Sequence, residues 1–371
     1  MSRLGVKGAV VGGIYVPGDI SVSDGLVDQV GLPPGKRGLA VPGFVDLQVN
    51  GFGGVDFSSS TAEEWAQAQT VLASTGVTSY VANVISTSAT AMSAVLTESK
   101  HVKETAPGPG AALLGLHLEG PFLSPEKAGI HPQHFLATPS RDSLSSWLTS
   151  GPVVMATLAP ELAGALAEIE WLTQQGIIVS LGHSNSSPEE ASAGFDAGAT
   201  TVTHLFNGMS GITARNPGLA GVALSREDVT LQLILDFLHV DKALAELVLK
   251  FAPHRVALVT DCLPATGTTA THFTLGETEI GIREGKAVNA DGVLAGSLLT
   301  MDQALRNAIA CGMNDVDAIN ATSLNPLRVL DPATASLLAE GASADIVVLD
   351  DSWAIDSVLV GGTDIVVSEA S

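Results

Sequence analysis

Short apolar runs recur through the middle of the chain, at residues 44–49, 78–85, 112–119, 153–159, 177–183, 200–205, 231–238 and 255–260. They are nearly continuous rather than alternating, the pattern of strands buried on both faces of a parallel sheet. Segments with helical spacing fall between most of them: Ala62–Thr75, Ala91–Lys103, Glu161–Gln175, Pro188–Ala197 and Asp241–Phe251. Strand–helix alternation implies parallel strands joined by right-handed crossovers, and eight such units close a (β/α)8, TIM-like barrel of the α/β class. Residues 271–294 interrupt the alternation and read as a β-hairpin excursion, after which helical patterns near 298–311 and 315–330 complete the barrel.

Both ends have a different texture. Residues 1–40 give short strands such as Ala9-Val10-Val11, Gly13–Val16 and Gly25–Val27, broken by Gly, Pro and Asp turns. The last stretch repeats this in Asp345–Leu349 and Ser357–Val360. The expected organisation is therefore a small β-sandwich domain from 1–40 and 335–371, flanking a barrel over 41–334.

Composition narrows the function classes. Asp and Glu number 39 against 17 Lys and Arg, a formal charge of −22, which repels nucleic acid and anionic headgroups. No apolar run nears the ~20 residues of a membrane span, and the first residues lack a signal peptide's apolar core. The 2 cysteines, Cys262 and Cys311, form no framework or CxxC site, which suits a reducing cytoplasm. A cytoplasmic protein without nucleic-acid or membrane partners is expected.

Four apolar runs end on groups that bind metals or protons: Glu119, His183, His204 and Asp261. An unpaired charge in a buried strand is costly, so such groups make sense where strand ends converge on a site. Two imidazoles and a carboxylate with an open position form a catalytic zinc set, placing Glu119, His183 and His204 as ligands of one divalent cation. Iron, cobalt and manganese fit the same donors. Asp261 is placed as general base over the attacking water, an N-cap or an ion pair at the barrel mouth being the alternative. The first strand carries Gln48 and Asn50 where many metal-dependent barrel hydrolases have His-x-His, and the fourth has no lysine, so one tight metal is expected. His131, in the loop Gly129–Pro132, reads equally as an oxyanion donor or a solvated loop histidine. His239 ends the seventh strand and could reach a polar substrate. Arg215, in a glycine-rich stretch, reads from the residues alone as a surface-loop arginine rather than an anion seat, although a guanidinium binds phosphate in bidentate fashion.

These motifs together resemble the N-acetylglucosamine-6-phosphate deacetylase family of amidohydrolases nearly end to end. The resemblance rests on Pro42–Asp46, His117–Phe122, Leu158–Glu161, Gly182–Ser184, His204–Met209, Pro217–Gly221, His239–Asp241, Val259–Asp261, Leu294–Ser297 and Ala321–Pro326. It implies metal-dependent hydrolysis of the N-acetyl group of N-acetyl-D-glucosamine 6-phosphate, in amino-sugar metabolism. It implies that Glu119, His183 and His204 hold the metal, Asp261 is the acid/base and His131 touches the acetamide carbonyl. Asn207 and Gly208 would bind the sugar or phosphate alongside Arg215 and His239, with a neighbouring subunit of a homodimer lending residues. The loop Ile130–His134 departs from the family's usual His-Asn-Pro, so His134 competes with His131 for that role. Cys262 replaces the small residue common after the catalytic Asp. A cyclic-amide hydrolase is disfavoured by the missing His-x-His and lysine, and a non-catalytic sugar-phosphate sensor by Asp261.

Overall fold

The computed structural model describes residues 2–105, 108–334 and 337–366. Eight parallel strands stand side by side in chain order: β1 Phe44–Val49, β2 Val77–Ile85, β3 Ala112–Glu119, β4 Val153–Leu158, β5 Ile178–Leu181, β6 Thr201–Val202, β7 Thr230–Leu233 and β8 Val256–Leu258. Past β8, Cys262 bridges Val49 in parallel fashion, and Asn50 N–H donates to the Cys262 carbonyl at 2.9 Å. That contact brings the last strand back to the first. All six side chains of β1 are buried, as a strand sandwiched between barrel interior and helices must be. Helices pack outside, and two are set by reciprocal capping boxes: Thr61 with Glu64 before Ala62–Ser74, and Ser187 with Glu190 before Pro188–Asp196.

Where strand expectations overran, the overrun lies at the C-terminal ends. β5, β6 and β8 stop at Leu181, Val202 and Leu258, short of His183, His204 and Asp261. Those three residues leave the extended backbone, as described below. The helix expected from Glu161 begins at Ala165. Glu161 instead accepts from the Ser184 hydroxyl at 2.8 Å and the Asn185 N–H at 2.6 Å, pinning the loop beyond β5. The helix expected over 315–330 is broken at Ser323 into Asp315–Thr322 and Leu324–Leu330. Pro326 explains the break: with no N–H and a ring that crowds the carbonyl four residues back, it is tolerated only in a first turn.

The excursion is a three-stranded antiparallel meander, His272–Leu275, Thr278–Arg283 and Lys286–Val288. Its Leu275, Ile280 and Ala287 pack with Ile85 at the end of β2 and with Leu263, forming an apolar roof at the barrel mouth. At the other end of the chain's course, a six-stranded sheet takes Val6–Val11, Ile14–Pro17 and Arg37–Pro42 from the beginning and Ile346–Leu349, Ile355–Val360 and Thr363–Ile365 from the end. A three-stranded sheet of Ser2–Arg3, Asp19–Ser23 and Leu26–Leu32 shares its apolar core through Val6, Ile20, Val27 and Ile346. Strand Arg37–Pro42 crosses the expected boundary at residue 40 and runs almost directly into β1. Residues 335–336 and 367–371 of the expected C-terminal portion lie outside the described residues.

Candidate active site

Glu119 is the last residue of β3, and three further side chains arrive just past β5, β6 and β8. His183, His204 and Asp261 have φ of 46°, 27° and 50°. A left-handed residue bearing a Cβ costs roughly 1–2 kcal/mol. Such strain persists only where the surroundings impose it, and here it turns each side chain out of the strand ladder into one cavity of about 220 Å³. Gly208 makes room for this: at φ 55°, a Cβ there would lie 2.9 Å from His183 Nδ1.

Three donor atoms converge. Glu119 Oε1 lies 3.1 Å from His183 Nε2 and 2.9 Å from His204 Nε2, and the two Nε2 atoms are 3.1 Å apart. Tetrahedral zinc with ligands at about 2.0–2.1 Å would hold its donors roughly 3.3 Å apart. The tautomer of His183 sharpens the case. Its Nδ1 lies 2.7 Å from the Lys127 carbonyl oxygen, which can only accept, so Nδ1 carries a proton and Nε2 is the nitrogen that offers a lone pair when the ring is neutral. A lone pair beside a carboxylate oxygen and a second imidazole nitrogen is satisfied by a cation, and a carbonyl bonded to the ring's other nitrogen is the partner a metal-bound histidine ordinarily has. The residues present fit a divalent ion.

The electrostatics agree. Burial alone would push the Glu119 carboxyl up, but His183 and His204 outweigh it and hold it well below the usual carboxylate range. Burial works against a charged His183 too, yet Glu119 draws it up, and a cation would take the place of the proton they share. Burial and the Glu119 charge push Asp261 well above its usual range. His204 is pushed down, by burial first.

An amide layer lies beneath. Gln48 Nε2 donates to Glu119 Oε1 at 3.2 Å, Asn83 Nδ2 to Glu119 Oε2 at 2.6 Å, and Asn50 Nδ2 to Asp261 Oδ1 at 2.8 Å. These amides hold the two carboxylates in place, and amides are poor ligands for a divalent transition metal beside imidazole.

Residues 39–366 match the family model described as the amidohydrolase family. The chain belongs to that family. It is 37% identical over 344 residues to an N-acetylglucosamine-6-phosphate deacetylase of Mus musculus, covering 88% of this chain and 83% of the mouse one. It is 33% identical over 331 residues to an N-acetylgalactosamine-6-phosphate deacetylase of Escherichia coli O157:H7, covering 87% of each. Among solved structures, it superposes with a TM-score of 0.92 on an aspartate-to-alanine mutant of the Mycobacterium smegmatis N-acetyl-D-glucosamine-6-phosphate deacetylase, in complex with N-acetyl-D-glucosamine-6-phosphate. That pair shares 32% identity over 98% of this chain and 99% of the other.

The remaining expected residues of this amidohydrolase fall on two sides. His131, Asn207, Gly208 and His239 line the cavity. His131 is buried, and the Ser86 N–H donates to its Nδ1 at 3.2 Å, so its proton sits on Nε2, 4.0 Å from Glu119 Oε2. Burial, with His183 beside it, pushes His131 down to about 3, keeping it a neutral donor. His134 turns outward instead, exposed and 3.6 Å from Glu277. Of the two, only His131 lies on the cavity wall. His239 does not end β7, which stops at Leu233, but sits in the loop beyond it, with Nδ1 2.7 Å from Asp236 Oδ2 and Nε2 3.1 Å from the Ala295 carbonyl, tying that loop to the segment after the meander. Arg215 is exposed in the 211–216 stretch and is absent from the cavity wall; among the described residues lining it there is no Lys or Arg.

Sequence reading passed over Asn83, Ser86 and the Lys127 carbonyl. Asn83 had a signal: an amide inside the apolar run Tyr80–Ile85. Lys127 had none, because its contribution is a backbone oxygen.

Proposed function

We propose that this amidohydrolase cleaves the N-acetyl group of N-acetyl-D-glucosamine 6-phosphate, giving glucosamine 6-phosphate and acetate in amino-sugar catabolism. The observation that carries it is the buried Glu119–His183–His204 cluster sharing one cavity with Asp261, together with the relatives' activity. A divalent cation held by Glu119, His183 and His204 would supply Lewis-acid polarisation and a more acidic water. Zinc is the first choice for these donors, with iron, cobalt and manganese able to fit.

The chain's own groups do the rest. Asp261 removes a proton from the attacking water as its oxygen bonds to the amide carbon. His131 Nε2–H donates to the oxygen on which negative charge grows, a contact of the kind that contributes about 3–4 kcal/mol elsewhere. Asp261 then gives its proton to the amide nitrogen as the C–N bond breaks, so the amine leaves neutral. Asn207, Gly208 and His239 would seat the sugar, and Arg215, from its own or a neighbouring subunit of a homodimer, the phosphate. We place the enzyme in the cytoplasm; among the described residues, no helix is long and apolar enough to cross a membrane.

The galactosamine epimer is the second reading, favoured by the 33% identical relative named for it. Acetate release from both 6-phosphate sugars, with and without a chelator, tests the proposal. Chelator-sensitive release that is faster from the gluco epimer supports it; faster release from the galacto epimer selects the second reading. No release from either ends it.

A further inference from the structure

Glu119 uses its two carboxylate oxygens differently. Oε1 faces His183 and His204, whereas Oε2 accepts from Asn83 Nδ2 at 2.6 Å. The same Asn83 nitrogen donates to Asn50 Oδ1 at 2.8 Å, and Asn50 Nδ2 donates to Asp261 Oδ1 at 2.8 Å. The direction of this chain is fixed by its ends. The ionised Glu119 carboxylate only accepts, and the Cys262 carbonyl, 3.3 Å from Asn50 Nδ2, also only accepts, so the Asn50 amide cannot be reversed. Asn83 must then donate with both its protons, one to each neighbour.

We infer that Asn83 is a positioning residue for proton transfer: acting through Asn50, it ties Asp261 Oδ1 to the cation-binding carboxylate and leaves Oδ2 as the oxygen that carries the proton. Asn83 is buried on β2 and does not line the cavity, so it reaches the reacting atoms only through others. Oδ2 has the space the role needs because residue 296 is glycine. A Cβ there would sit 3.2 Å from Oδ2 and 2.3 Å from the Asp261 carbonyl oxygen. A charge-assisted amide bond on Oδ1 also disfavours protonation at that atom. The inference rests on the reading of Asp261 as the proton carrier.

The test compares Asn83→Ala, Asn50→Ala, the double variant and Asp261→Asn with the unsubstituted protein, all loaded with zinc. Each amide variant should lose on the order of 10²-fold in kcat per bound zinc, the cost of a misplaced catalytic group, with KM within about twofold. The double variant should fall no further than the worse single one. Zinc content by mass spectrometry should stay at the unsubstituted level. In zinc-free protein, the fall in Tm of the double variant should be smaller than the two single falls added together. Asn83→Thr covers the case in which the alanine variant does not fold: its hydroxyl has one proton and cannot serve Glu119 and Asn50 together, so kcat should fall while zinc stays. Additive kcat losses, or a loss explained wholly by missing zinc, would overturn the inference. If the unsubstituted protein releases no acetate, or Asp261→Asn still turns over, the proposed reaction fails; the Tm comparison then decides the amide chain alone, and additive falls sink it.

Discussion

Asp46 Oδ2 accepts the Thr260 hydroxyl proton at 2.5 Å, one residue before Asp261 and wholly out of solvent. Burial raises the Asp46 carboxyl to about 7, against the pull of Thr260 and the Gln48 and Thr260 N–H groups. A carboxyl with a higher pKa in the folded than in the unfolded state favours folding at low pH. Its contribution is complete below the unfolded value of 3.8 and is lost as pH rises to about 7. Three units correspond to about 4 kcal/mol. His117, pushed down to about 4 by burial, works in the opposite sense, so the diagnostic is a difference. Between pH 4 and pH 8, unfolding free energy should fall more in the unsubstituted protein than in Asp46→Asn, by denaturant titration at each pH. Equal slopes would show Asp46 ionised throughout.

Removing one nitrogen ligand should empty the site. His204→Ala should bind zinc at least about 10²-fold more weakly by competition with a chromophoric chelator, because two donors remain where the cluster offers three. Retained stoichiometric zinc would mean that the ion sits elsewhere.

Asp261→Asn keeps the shape and removes the base. Turnover should drop about 10³-fold or more while zinc content is unchanged, since general acid–base groups contribute roughly 10²–10⁴-fold and this one acts twice. Activity within tenfold of the unsubstituted enzyme would remove Asp261 from the mechanism.

His131 and His134 make an internal control three residues apart. His131→Ala should lower kcat about 10²–10³-fold, as loss of one oxyanion donor does elsewhere. His134→Ala, at an exposed side chain facing Glu277, should leave steady-state rates within about twofold. Reversed effects would mean that the loop rearranges around the substrate.

Arg215→Ala should lower kcat/KM for the 6-phosphate sugar about 10-fold or more and leave the unphosphorylated sugar unchanged, since one charge-assisted contact contributes roughly 1.5–3 kcal/mol. An unchanged ratio of the two values would place the phosphate seat elsewhere.

Much of this architecture was legible because barrel strands are buried on both sides, which leaves runs such as Phe44–Val49 and Val77–Ile85 in plain view. Glu119, His183, His204 and Asp261 stood out as costly groups at the ends of such runs. What escaped depended on geometry across strands. Gln48 and Asn50 were visible as missing ligands, but their donation to Glu119 and Asp261, and the link from Asn83 on the neighbouring strand, run across strands, which spacing within one strand does not show. His131 read equally as an oxyanion donor or a solvated loop histidine, with His134 as a competitor, and spacing does not show that only His131 is buried against the cavity. The break at Ser323 was readable in principle, since Pro326 sits in the middle of the expected helix.

The left-handed backbone at His183, His204 and Asp261 sets the direction in which this protein would drift if relieved of its chemistry. Glycine adopts that conformation without steric penalty. Ageing gene copies or laboratory libraries screened only for heat resistance should therefore accumulate glycine or asparagine at these three codons, each gain in robustness erasing one working group. Conversely, a thermostable relative that still carries two histidines and an aspartate there has kept its trade under selection.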